Sequence, residues 1–96
     1  MTDLAKGQIE RLGLLAEECG EVLQQVGKIL RFGQICKLGE KVYDNKSKLE
    51  AELVDLLTII ELMDDYGDIV IDNLEIKKQQ KYESMRPFLI HTHLSL

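Results

Sequence analysis

Two pairs of acids stand three residues apart in apolar company: Glu18 with Glu21, then Glu52 with Asp55. Residues three apart share a helix face, so each pair would present two carboxylates side by side. At about 100° per residue, Glu18 and Glu21 share a face with Leu14 and Gln25 and border Leu15, Val22 and Ile29. Glu52 falls among Leu49, Leu56, Ile59 and Met63, and Asp55 beside Ile59, Leu62 and Tyr66. Glu10, Glu17, Glu61, Asp64, Glu75 and Glu83 read differently, as an ordinary solvated flank. Packing the two acid-bearing stripes antiparallel would gather four carboxylates in a partly dry site. Unneutralised, they would repel one another and raise their own pKa values. Neither stripe offers a histidine or arginine to pair with them. A hard divalent cation such as Mg²⁺ fits that need, because it takes carboxylate oxygens and keeps waters that a substrate can replace.

The elements that must position these acids are helical. Leu12, Leu15, Cys19, Val22, Val26 and Ile29 recur at helical spacing and predict a long amphipathic helix over about 3–32, stopped by Gly33. Residues 33–46 have connector composition, with Ile35, Leu38, Val42 and Tyr43 able to form a short helical turn. Ser47 and Glu50 fit a capping box opening the second helix. Its apolar stripe is Leu49, Leu53, Leu56, Leu57, Ile60 and Met63, and Gly67 ends it. Asp68 is then expected to cap a third helix from Ile69 to Met85, stopped by Arg86-Pro87. The reading is an all-α bundle: one helical domain over 1–86 and a C-terminal tail over 87–96.

Composition sets the outer limits. Ninety-six residues make one domain with a modest core, for which oligomerisation is a natural supplement. A net charge of −5 argues against duplex nucleic acid as the main partner. It leaves room for a small anionic ligand if metal ions reverse the local sign. Cys19 and Cys36 form neither a CxxC pair nor a disulfide framework, and Cys19 reads as a small buried thiol. With no secretory segment and no membrane-length apolar run, the expectation is a cytoplasmic protein without a membrane partner. His91 and His93 lie in the tail without a partner, and no Glu-x-x-His pair supports a ferritin-like di-iron site.

Glu17-Glu18-Cys19-Gly20-Glu21 followed by Glu52-Leu53-Val54-Asp55 resembles the EExxE…ExxD signature of the MazG-like, all-α nucleoside triphosphate pyrophosphatases. The resemblance covers most of the chain and implies cleavage of the α–β phosphoanhydride of a (d)NTP, giving a monophosphate and pyrophosphate. It implies Glu18, Glu21, Glu52 and Asp55 as Mg²⁺ ligands, with Mn²⁺ a possible substitute. Glu17, Glu18 and Glu21 would be the catalytic acids. Glu17 points about 100° from Glu18, which suits orienting a water, or a merely structural role, better than binding metal. Lys78, Lys81 and Arg86 are the candidate substrate contacts, in a basic stretch that also suits the C-terminal dipole of a helix. Lys37, Lys41, Lys46 and Lys48 around the connector are further candidates, since such loops can close over substrate. The aromatic residues are scattered and nominate no base pocket.

Gly13, Gly20 and Gly27 recur every seven residues on one side of the first helix, away from the acid pair. Each is costly in a helix interior, and together they point to a close helical neighbour, within the chain or across a subunit interface. The family resemblance implies a homodimer or homotetramer. Two other functions compete: phosphoribosyl-ATP pyrophosphatase, which shares the chemistry, and a non-catalytic helical dimer acting as an adaptor or regulator.

Overall fold

A computed structural model describes residues 2–94. Helix α1 spans Lys6–Phe32, strands β1 (Ile35–Leu38) and β2 (Lys41–Asp44) form an antiparallel hairpin, and α2 spans Asn45–Asp65. After a loop, α3 runs Leu74–Met85 into a 3-10 turn, Arg86–Phe88. The protein is therefore mostly helical, but not all-α. Ser95 and Leu96, the end of the expected tail, lie outside the described residues.

The connector is the main correction. Ile35 and Cys36 on one side, and Val42 and Tyr43 on the other, flank Gly39-Glu40, and the register pairs Leu38 with Lys41. Gly39 has φ 66° while Glu40 stays negative, the combination a two-residue II′ hairpin loop needs. β-Branched Ile35 and Val42, one on each arm, and aromatic Tyr43 then favour pairing over a helical turn.

Helix boundaries follow from where polar groups are spent. Gly33, with φ 86°, closes α1 and donates its N–H to Ile29 O at 2.8 Å. Asp44, not Ser47, caps α2: its carboxylate accepts from Ser47 N at 3.0 Å and from Ser47 Oγ at 2.7 Å. Those bonds hold the Asp44 carboxyl below the usual carboxylate range. Asp44→Ala is expected to lower the thermal midpoint by about 5 °C, with Asp44→Asn recovering most of it. Circular dichroism melts check this.

Asp68 does not cap α3 because Arg11 engages it. Arg11 Nη2 donates to Asp68 Oδ1 at 2.9 Å and Nε to Oδ2. The guanidinium also stands 4.5 Å from the Tyr66 ring centroid. With Gly67 at φ 78° and Asn73 at φ 49°, residues 69–73 leave the helical path, and α3 begins five residues later than the spacing predicts.

Arg11–Asp68 joins the start of α1 to the end of α2. Asn45, whose Nδ2 donates to Gly33 O at 3.1 Å, joins the opposite ends. The two helices are thus antiparallel, and their seam carries the one fully buried apolar side chain among the described residues, Met63. Little else is covered. The chain exposes 7922 Å², against about 5,600 Å² for a compact monomer of its mass. Its radius of gyration is 17.4 Å, against about 12.5 Å.

Two uncovered features account for the excess. α3 packs on the 3-10 turn and has no extensive contact with α1 or α2. On α1, Ile9, Leu12, Cys19, Leu23, Val26 and Leu30 form a second apolar face turned away from α2, with Leu30 81% exposed. Cys19 is on this face rather than in a core. Gly13, Gly20 and Gly27 border the same face, and a Cβ added at any of them would meet nothing within 4 Å. Among the described residues no other helix approaches them. No helix among the described residues is long and apolar enough to cross a membrane.

Candidate metal centre

Glu18 and Glu21 occupy successive turns on the α2-facing side of α1, and Glu52 and Asp55 do the same on α2. Antiparallel packing sets the two pairs opposite one another. One carboxylate oxygen from each of the four can be chosen so that all lie within 4.8 Å of one another. Glu18, Glu21 and Glu52 are half-buried, and Asp55 opens to solvent. The structure brings together all four residues that the sequence singled out as ligands.

The electrostatics are those of an uncompensated cluster. The Glu52 carboxyl is pushed up to about 7, first by a hydrogen bond shared with Glu21, then by burial and the charges of Glu21, Asp55 and Glu18. Burial, followed by repulsion from Glu21 and Asp55, also holds Glu18 above the usual range. The ion pairs found among the described residues all lie elsewhere. Glu18 Oε2 and Glu52 Oε2 are buried with no hydrogen-bond partner. Such oxygens are costly unless something positive meets them. Closely spaced hard oxygens with an open side at Asp55 suit Mg²⁺ or Mn²⁺ with room for water or substrate.

Other candidates are placed differently. Glu17 is exposed and outside the cluster. Lys78 pairs with Glu75 at 3.6 Å. Arg86 pairs with Glu83 at 3.0 Å and donates to Leu94 O at 3.2 Å. Lys81 is exposed on the same detached helix. Within one chain, none of these three cations reaches the acids.

Gln25 is the residue sequence reasoning passed over. It is 8% exposed and its Oε1 has no partner. Its signal was present: it follows Glu21 by one helical turn on the face already chosen for the acids. Comparison with known protein families, curated proteins and solved structures finds no match for this chain.

Proposed function

We propose that this protein is a Mg²⁺-dependent nucleotide pyrophosphohydrolase, cytoplasmic and active as a homodimer or homotetramer. The observation that carries the reading is the four-carboxylate cluster with buried, unpartnered oxygens on Glu18 and Glu52. The EExxE…ExxD resemblance supplies the reaction class: hydrolysis of a (d)NTP to a monophosphate and pyrophosphate.

Glu18, Glu21, Glu52 and Asp55 would hold the metal, whose chemistry is to offset charge on the phosphates and to activate a water. The chain's own contribution is to fix four ligands on two rigid helices, so that little reorganisation accompanies reaction. Burial of Glu18 and Glu52 on the seam keeps bulk water from the inner side of the cluster. Gln25 offers a desolvated acceptor beside it. Glu17, being solvent-facing, is better suited to a peripheral role than to ligation.

Oligomerisation accounts for the uncovered apolar face of α1 and for the detached α3. It is also the route by which Lys78, Lys81 and Arg86 could approach an acid cluster they do not reach in their own chain.

Pyrophosphate release from a nucleotide panel, phosphoribosyl-ATP included, tests the reading. Release is expected with Mg²⁺ and lost on chelation. Preference for phosphoribosyl-ATP would move the assignment to that enzyme. No release from any nucleotide would leave a non-catalytic helical assembly, which the exposed apolar face also suits.

A further inference from the structure

Each acid of the cluster has a polar residue two helical turns away on its own helix, toward the hairpin end. Seven residues from Glu18 is Gln25, from Glu21 is Lys28, from Glu52 is Asn45 and from Asp55 is Lys48. Seven residues is close to two full turns, so each member of the second tier stands over an acid on the same helix edge. At about 1.5 Å per residue the tiers are about 10 Å apart, a distance a nucleotide spans between its phosphates and its base.

Three of these, Lys28, Asn45 and Lys48, join Phe32, Cys36 and Tyr43 in lining a pocket of about 180 Å³ at the hairpin. Its floor is built rather than incidental. Asn45, 4% exposed, donates to Gly33 O at 3.1 Å, and Gln34 O accepts the backbone N–H of Asn45 at 2.8 Å. Lys48 Nζ stands 5.4 Å from the Tyr43 ring centroid, so a positive charge and an aromatic face are presented together. Gln25, 8% exposed with an unpartnered Oε1, belongs to this tier on α1 but does not line the pocket.

We propose that this pocket seats the base of the nucleotide, and that the base is a single ring bearing carbonyl acceptors, a pyrimidine. The proposal rests on the nucleotide reading above. A cavity of about 150 Å³ holds one benzene-sized ring. The hairpin pocket therefore takes one substituted ring, while a fused purine projects from it. Tyr43 and Phe32 supply apolar ring faces, and Lys28 and Lys48 donate to ring carbonyls.

Titrating the ¹⁵N-labelled full chain with UMP, CMP, AMP and GMP, without metal, tests this apart from catalysis. UMP and CMP are expected to shift the amides of residues 35–44 and to bind more tightly than AMP or GMP. Tyr43→Ala should weaken UMP binding about tenfold through lost stacking, and Tyr43→Phe should bind as wild type. Stabilisation by Mg²⁺ should persist in both variants. Equal or tighter binding of purines would overturn the single-ring assignment. Shifts confined to residues outside the hairpin and the seam, or unchanged UMP affinity in a folded Tyr43→Ala, would overturn the pocket itself. Failure of the nucleotide reading would show separately, as absent pyrophosphate release from protein that Mg²⁺ still stabilises.

Discussion

Glu52→Gln is expected to abolish pyrophosphate release by about a thousandfold or more and, at pH 8 without metal, to raise the thermal midpoint. The two effects have one origin. The folded chain holds the Glu52 carboxyl at about 7, against an ordinary value of 4.5, because Glu21, burial and the neighbouring carboxylates all disfavour its charge. A group whose folded-state pKa is raised contributes stability that is complete below the unfolded value. That contribution is lost as pH climbs through the folded value. Metal-free wild type should therefore weaken between about pH 4.5 and pH 8, with Glu18 adding to the same slope. Glutamine keeps the shape and carries no charge at any pH, so the variant should show a flatter profile. Mg²⁺ reverses the order: it stabilises wild type by binding the native state, by about 15 °C at a hundredfold excess over Kd. It should do little for the variant. Melts at pH 5, 7 and 8, with and without Mg²⁺, check all of this together. Equal stabilisation of both proteins by Mg²⁺ would remove Glu52 from the metal centre.

The four-carboxylate cluster was legible in the sequence because helical periodicity is a strong constraint. Once α1 and α2 were placed, Glu18, Glu21, Glu52 and Asp55 had to share faces with leucines and isoleucines, and two stripes of that kind must pack. The hairpin was less legible, since Ile35, Cys36, Val42 and Tyr43 are too few to set a period, and Gly39-Glu40 is a weak turn signal beside Asn-Gly. With the hairpin went the pocket. Phe32 and Tyr43 are 11 positions apart in the chain, and only the strand register brings them to one cavity. The cap of α2 shifted from Ser47 to Asp44 because either residue satisfies the local rule. Tertiary structure chose the one at the end of β2. Asp68 failed as a cap for α3 for a similar reason: a bidentate arginine 57 residues away outcompetes local backbone donors.

Leu23→Glu is expected to convert the proposed homodimer or homotetramer to monomer, halving or quartering the mass measured by light scattering. Leu23 is 71% exposed in the single chain, so nothing within the chain requires its side chain. With Leu12, Val26 and Leu30 it forms one exposed apolar surface, the surface that a second copy would cover in the proposed assembly. The chain exposes about 2,300 Å² more than a compact monomer, an amount in the range each subunit of an obligate dimer buries. A carboxylate at the centre of such an interface would be desolvated without a partner, which two helices packed through leucines do not tolerate. Gly20→Leu sharpens the expectation. Within one chain a Cβ at Gly20 meets nothing within 4 Å, and leucine is a better helix former than glycine, so the isolated monomer should gain helical stability. If Gly20 lets a second helix approach, the same change should instead break the assembly and lower its midpoint. A stabilised, still-oligomeric Gly20→Leu protein would place the interface elsewhere. Loss of pyrophosphate release in step with dissociation, while Mg²⁺ still stabilises the monomer, would mean that the metal centre folds alone and that a second copy completes the substrate site.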